Sequence, residues 1–147
     1  MGNLPELEIH VMGCSRELQA SDASSVAEVQ IVHRQVSQGE DLTMSCSWEE
    51  AFENMRGLER LFPEPDGSFM WVGFHGDREW QLNGMIYDRN DRIQWCELKG
   101  SCPFPEWEKL LRCFGWPRQK LVVQFPRDQF FAYPEDLEIL WHAGENS

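Results

Sequence analysis

Between Phe74 and Gly100 the chain reads "FHGDREWQLNGMIYDRNDRIQWCELKG", and this stretch gathers the side chains best suited to chemistry. His75, Asp77, Glu79, Asp88 and Asp91 stand close in sequence, with Trp80 and Trp95 among them. Carboxylates do general acid–base work when they face each other across a cleft with their pKa values pushed apart. The spacing here follows a simpler rule. Gly76-Asp77 and the run "DRND" are turn signals between runs of strand character. Glu79 shares the polar parity of a strand with Gln81 and Asn83, opposite the apolar parity of Trp80, Leu82 and Ile86. Turns and solvent-facing strand positions take acids without any catalytic role, so the stretch reads first as a meander of three strands.

Other reactive side chains are scattered. His10, Cys14 and Glu8 could approach a metal ion, but their spacing fixes no geometry. Cys14 sits in a polar stretch beside Arg16 and reads as the exposed thiol, whereas Cys96 and Cys113 read as core positions. A nucleophilic thiol needs a neighbouring base and an electropositive setting. The five cysteines form no C-x-x-C pair and match no zinc spacing. Dinucleotide, phosphate-loop, hydrolase-elbow, zincin and EF-hand motifs are absent from the sequence. No catalytic residue, cofactor or metal is therefore assigned.

Charge narrows the partner class. Thirteen basic residues against 25 acidic ones give a formal net charge of −12. Such a chain repels phosphate backbones and anionic membrane surfaces, which disfavours nucleic acid and membrane as partners. No apolar run approaches the length that spans a bilayer. The first residues alternate as a strand rather than as a secretion signal. Reduced thiols and a cytoplasmic protein are the expectation.

The elements that must position these residues follow from periodicity. "ELEIHVM" alternates, with Leu7, Ile9 and Val11 on one face. Residues 13–25 are small and polar and read as a flexible loop. "AEVQIVHRQVS" reads as a strand and "EDLTMSC" as a short third one. Ser47 with Glu50 makes a capping box before a helix whose stripe is Trp48, Ala51, Phe52, Met55, Leu58, Leu61 and Phe62, ended by "PEPDG". In the meander, Asn83-Gly84 reads as a bulge. A second helix carries Phe104, Trp107, Leu110, Leu111 and Phe114, with Gly115 as its stop. "KLVVQF" is a strand with Leu121, Val123 and Phe125 inward, and residues 134–142 read as helix with strand as the alternative. The sum is an α+β fold over residues 1–147 as one domain. A mainly antiparallel sheet, made of N-terminal strands plus the meander, carries two amphipathic helices packed on it.

One helical layer covers one face of a sheet, yet Trp71 and Trp95 put aromatics on both parities of their strands. An aromatic patch of Trp71, Trp80 and Trp95 with an acidic rim of Asp77, Glu79, Asp88 and Asp91 would bind a basic protein. A regulatory adaptor or an immunity-like protein that neutralises a toxin fits that description. The alternative is a small-molecule-binding or enzymatic domain with a pocket between sheet and helices, anchored by His33 or His75. A homodimer through the uncovered face is the third expectation.

Overall fold

The computed structural model describes residues 3–145. Alternating runs form nine strands: β1 (Leu7–Gly13), β2 (Ala20–Val26), β3 (Val29–Arg34), β4 (Leu61–Pro63), β5 (Ser68–His75), β6 (Arg78–Arg89), β7 (Arg92–Gly100), β8 (Leu121–Phe125) and β9 (Phe130–Ala132). They join one antiparallel sheet in the order β2-β3-β9-β8-β1-β7-β6-β5-β4. The helices are α1 (Trp48–Arg56), α2 (Phe104–Cys113) and α3 (Glu138–Glu145), the last entered through a 3-10 turn at Pro134–Leu137. The fold is α+β and mainly antiparallel sheet. A third helix joins the two expected ones, because residues 134–142 take the helical alternative.

The meander β5-β6-β7 keeps one register along its length, with Trp71 opposite Leu82 and Ile86 opposite Cys96. There is no bulge at Asn83-Gly84. Gly84 pairs with Phe69 on one side and Leu98 on the other. A Cβ on Gly84 would collide with the Phe69 ring, so the glycine lets that ring cross the backbone. The break lies later, where Tyr87 faces Trp95 but Asp88 faces Ile93. The extra residue, Gln94, shifts parity, so Ile93 and Cys96 both reach the core with 0% exposure. That accounts for the apolar residues on both parities of β7.

Helix α1 begins with the expected capping box: Glu50 N–H donates to Ser47 Oγ at 3.1 Å, and Ser47 N–H donates to Glu50 Oε1 at 3.4 Å. It stops earlier than its apolar stripe suggests. Gly57 caps it, and Arg60 at φ 65 turns the chain, so Leu61 and Phe62 belong to β4. "PEPDG" closes the β4–β5 hairpin instead, with Asp66 Oδ1 accepting from both Ser68 N–H and Ser68 Oγ–H.

All three helices pack on one face of the sheet. Trp107, Leu110 and Phe114 from the α2 segment and Leu137, Leu140 and Trp141 from the C-terminal elements meet Leu7, Ile9, Val11, Leu82, Leu98 and Val123 from the strands. A fully buried side chain of this size contributes roughly 1.5–3 kcal/mol, so this layer holds the fold. The opposite face is covered only at one end. There Cys14, Leu18, Val122 and Tyr133 form a small second cluster, with Met12, Val36 and Leu42 against it.

The flexible loop expected over 13–25 is corrected over residues 20–25, which pair with β3 as part of edge strand β2. Its first half is tied down as well: Leu18 N–H donates to Tyr133 Oη at 2.6 Å, and Arg16 grips Glu40. The short strand expected at 40–46 is an irregular connector. Gly13 N–H reaches Leu42 O, and Met44 N–H reaches Ile93 O. No helix among the described residues is long and apolar enough to cross a membrane.

Candidate binding surface

The uncovered face lies over β4 to β7. Alternation places Met70, Val72 and Phe74 of β5 on it, with Phe62 opposite Met70 and Tyr87 opposite Trp95. Phe62 is 53% exposed and Phe74 61% exposed, with Met70 and Tyr87 also exposed. Phe62, Met70, Val72 and Phe74 lie side by side, and water-facing apolar residues grouped in this way mark an interaction surface. Tyr87 stands apart with Trp95 toward the other end of β6, about 26 Å along the strand from the Phe74 row. The charged positions of this face are Glu79 and Glu97 against Lys99 and Arg89, with Gln81 and Asn83 between them and Asp77 and Asp91 at the turns.

Trp95 is half-buried on this face, in β7 near the β6–β7 turn. Its ring stacks on Tyr87 with centroids 4.7 Å apart and lies 6.2 Å from His10. Its indole N–H is buried and finds no acceptor among the described residues. An orphan donor of this kind costs about 1–3 kcal/mol.

The other expected site residues separate. Trp71 and Trp80 are 3% and 6% exposed and belong to the helix-covered face, where they meet edge to face at 5.5 Å. The expected single patch of Trp71, Trp80 and Trp95 is therefore split between two faces. The acidic rim is split too. Asp77 and Glu79 lie at one end of β6, and Asp88 and Asp91 at the other, about 35 Å away along a strand of this length. His33 and His75 do not share a pocket, being six strand positions apart in the sheet, or about 29 Å. His33 Nε2 lies 2.7 Å from Ser24 Oγ, and its ring stacks on Phe130 at 4.4 Å.

The thiols are buried. Cys14 is 3% exposed rather than solvent-facing, and its Sγ–H donates to Arg16 O at 3.0 Å. Burial pushes the Cys46 thiol up to about 11 and that of Cys113 up to about 12, and it raises Cys96 and Cys102 as well. Those four stay protonated at neutral pH and are poor nucleophiles or ligands. No group of three or more His, Cys, Asp or Glu side chains among the described residues could hold a metal ion. His10 faces Glu97 at 3.5 Å.

Two hollows escaped sequence reasoning. One, of about 840 Å³, is bordered by Cys14, Arg16, Cys46, Arg118 and Lys120. Arg16 is bound to Glu40 and Lys120 to Glu17, so most of its cationic charge is already spoken for. The other, of about 500 Å³, opens beside β5. Trp71 and Trp80 form its floor, Leu58 and Phe74 its walls, and Glu59, Arg60, Glu106 and Lys109 its rim. Trp71 Nε1–H is spent on Glu59 O at 2.9 Å, and Trp80 lies against Gly73, where any Cβ would strike its ring. The early stop of α1 creates this cleft, and the signal for it was Gly57, which the apolar stripe had overridden. Comparison of the chain with family models, with curated proteins and with solved structures returns no match.

Proposed function

We propose that this protein is a non-enzymatic binding module, an adaptor or immunity-like protein, that docks a basic protein on the uncovered face of its sheet. The observation that carries this reading is the exposed row Phe62, Met70 and Phe74, on a sheet whose other face three helices cover. Apolar and aromatic side chains supply the affinity at the centre of an interface. The net charge of −12 supplies the steering and selects a basic partner over a second copy of the same acidic chain. Five free, buried cysteines suit a reducing compartment and support a place in the cytoplasm.

The test is affinity capture from native lysate with washes at low and at high salt. A stoichiometric basic protein that is held at low salt and released at high salt is the expected result, because screening at higher ionic strength removes the attraction between exposed charges. A bait that retains nothing at low salt would refute the proposal.

A further inference from the structure

The meander carries three tryptophans whose indole N–H groups end in three different ways. Trp71 Nε1–H is spent on Glu59 O, and Trp95 Nε1–H is sealed without an acceptor. Trp80 Nε1–H also finds no acceptor among the described residues, yet it is not sealed. The Trp80 side chain is only 6% exposed, so the little that it shows to solvent includes its one polar atom.

Gly73 locates that atom. Gly73 and Trp80 sit directly opposite each other in β5 and β6. A Cβ built on Gly73 would lie 2.5 Å from Trp80 Cζ2, 2.7 Å from Cε2 and 3.0 Å from Nε1. The ring edge that carries the N–H therefore lies over Gly73, and Gly73 borders the cleft of about 500 Å³ beside β5. A second hollow, of about 250 Å³, also meets Trp80, beside His75, Arg78 and Ser101, but it does not touch Gly73. Native structures rarely leave a donor on so buried a side chain without a partner. At the floor of a cleft the missing partner is a ligand atom.

The rest of the cleft defines that ligand. An indole N–H only donates, so the ligand brings an acceptor. Leu58 and Phe74 are apolar walls, and Trp71 meets Trp80 at 83° to make a corner that suits the edge of a flat ring. The rim holds two acids, Glu59 and Glu106, against two bases, Arg60 and Lys109, and so has no net charge. Lys109 pairs with Glu106 at 3.8 Å, and the Arg60 guanidinium rests over the Phe74 ring at 5.6 Å. An ion entering this cleft would lose hydration with no free counter-charge to replace it. The volume falls in the range of small-molecule sites. Neither His33 nor His75, the anchors expected from the sequence, borders it.

We infer that the cleft between β5, the α1–β4 connection and α2 binds a neutral, flat heteroaromatic small molecule of one or two rings. Its ring nitrogen or carbonyl oxygen accepts Trp80 Nε1–H, and its faces lie against Leu58 and Phe74. The site is on the helix side of the sheet and shares only Phe74 with the docking face, so it stands whether or not a basic protein binds there.

The test titrates benzoxazole, a neutral two-ring acceptor, into the ¹⁵N-labelled full chain. Indole is the neutral ring of the same size without an acceptor, and quinaldate and N-methylquinolinium are charged counterparts. The Trp80 indole resonance is assigned by its absence from Trp80→Phe. The expected result is saturable movement of that resonance and of the Gly73 amide, with a Kd of about 0.1–1 mM for so small a ligand. Indole and both charged rings should bind at least about tenfold more weakly. In Trp80→Phe, benzoxazole should fall to the level of indole. Lys109→Trp, which narrows the cleft from α2 and leaves its floor intact, should weaken benzoxazole about tenfold and keeps the test decisive if Trp80→Phe fails to fold. A Trp80 indole resonance unmoved by benzoxazole up to about 10 mM would overturn the proposal, as would equal affinity for benzoxazole and indole. Tighter binding of either charged ring would overturn the ligand class. Shifts confined to Tyr87, Trp95 and their neighbours would put the ring on the uncovered face and overturn the site.

Discussion

The two faces of the sheet are made from the same strands and do opposite work. On the helix-covered face, Ile9, Val11, Leu82, Leu98 and Val123 are sealed at 0% exposure against the helices. On the other face, alternate residues of β5 and β6 stand in water: Met70, Phe74 and Tyr87 beside the covered Trp71, Gly73 and Ile86. Alternation along a strand assigns each residue to one face or the other. Stability and recognition are thus written in alternate letters of one stretch of sequence, and a substitution can address either alone.

The largest effect is expected where the covered face is emptied. Trp107 is 1% exposed and stacks on Trp141 at 5.7 Å. Trp107→Ala should cost about 3–5 kcal/mol in denaturant titrations, enough to threaten folding outright. Gly84→Ala presses a methyl group into the Phe69 ring on the same face, and overpacking of that kind costs about 1–3 kcal/mol. Removing the α1 cap with Ser47→Ala should cost about 1 kcal/mol.

Acid pH sharpens the contrast from another side. Glu40 is held below its usual carboxylate range, first by the hydrogen bond from the Arg16 guanidinium and then by the N–H of Ser37. A depressed folded-state pKa contributes stability above the unfolded value and loses it as pH falls through the folded one. Unfolding midpoints followed from about pH 7 to about pH 3 should therefore fall less steeply in Glu40→Gln than in the parent chain. The step should be smaller than that for the α1 cap. On the uncovered face, Tyr87→Ser, which loses the stack on Trp95, should change the unfolding free energy by about 1 kcal/mol. Smallest of all, Phe74→Ser on the same face should change it by no more than about 0.5 kcal/mol. A larger loss would mean that this face carries part of the fold, and the comparison would fail.

Much of this division was legible beforehand, because parity is a local property. Leu7, Ile9 and Val11, the strand Leu121–Phe125 and the alternation of Trp80, Leu82 and Ile86 all took the expected face. What was not legible depended on contacts distant in sequence. Gly84 reads as a bulge until Phe69 is known to cross it. Residues 20–25 carry no strand signal of their own and are held by pairing with β3. Cys14 looks exposed until Leu18 and Tyr133 close over it. The site was the hardest part to see. Acids and tryptophans adjacent in sequence lie at opposite ends or on opposite faces of the meander. The cleft beside β5 exists because a helix stops at Gly57 while its apolar stripe runs on to Leu61 and Phe62.

The most direct test of the divided sheet is a paired measurement on one variant, Phe62→Ser/Phe74→Ser. Its unfolding midpoint and its capture of a basic protein from lysate are compared with those of the parent chain. A retained midpoint with the basic partner lost is the predicted result. Undiminished capture by a folded double variant would contradict the assignment of recognition to the uncovered face.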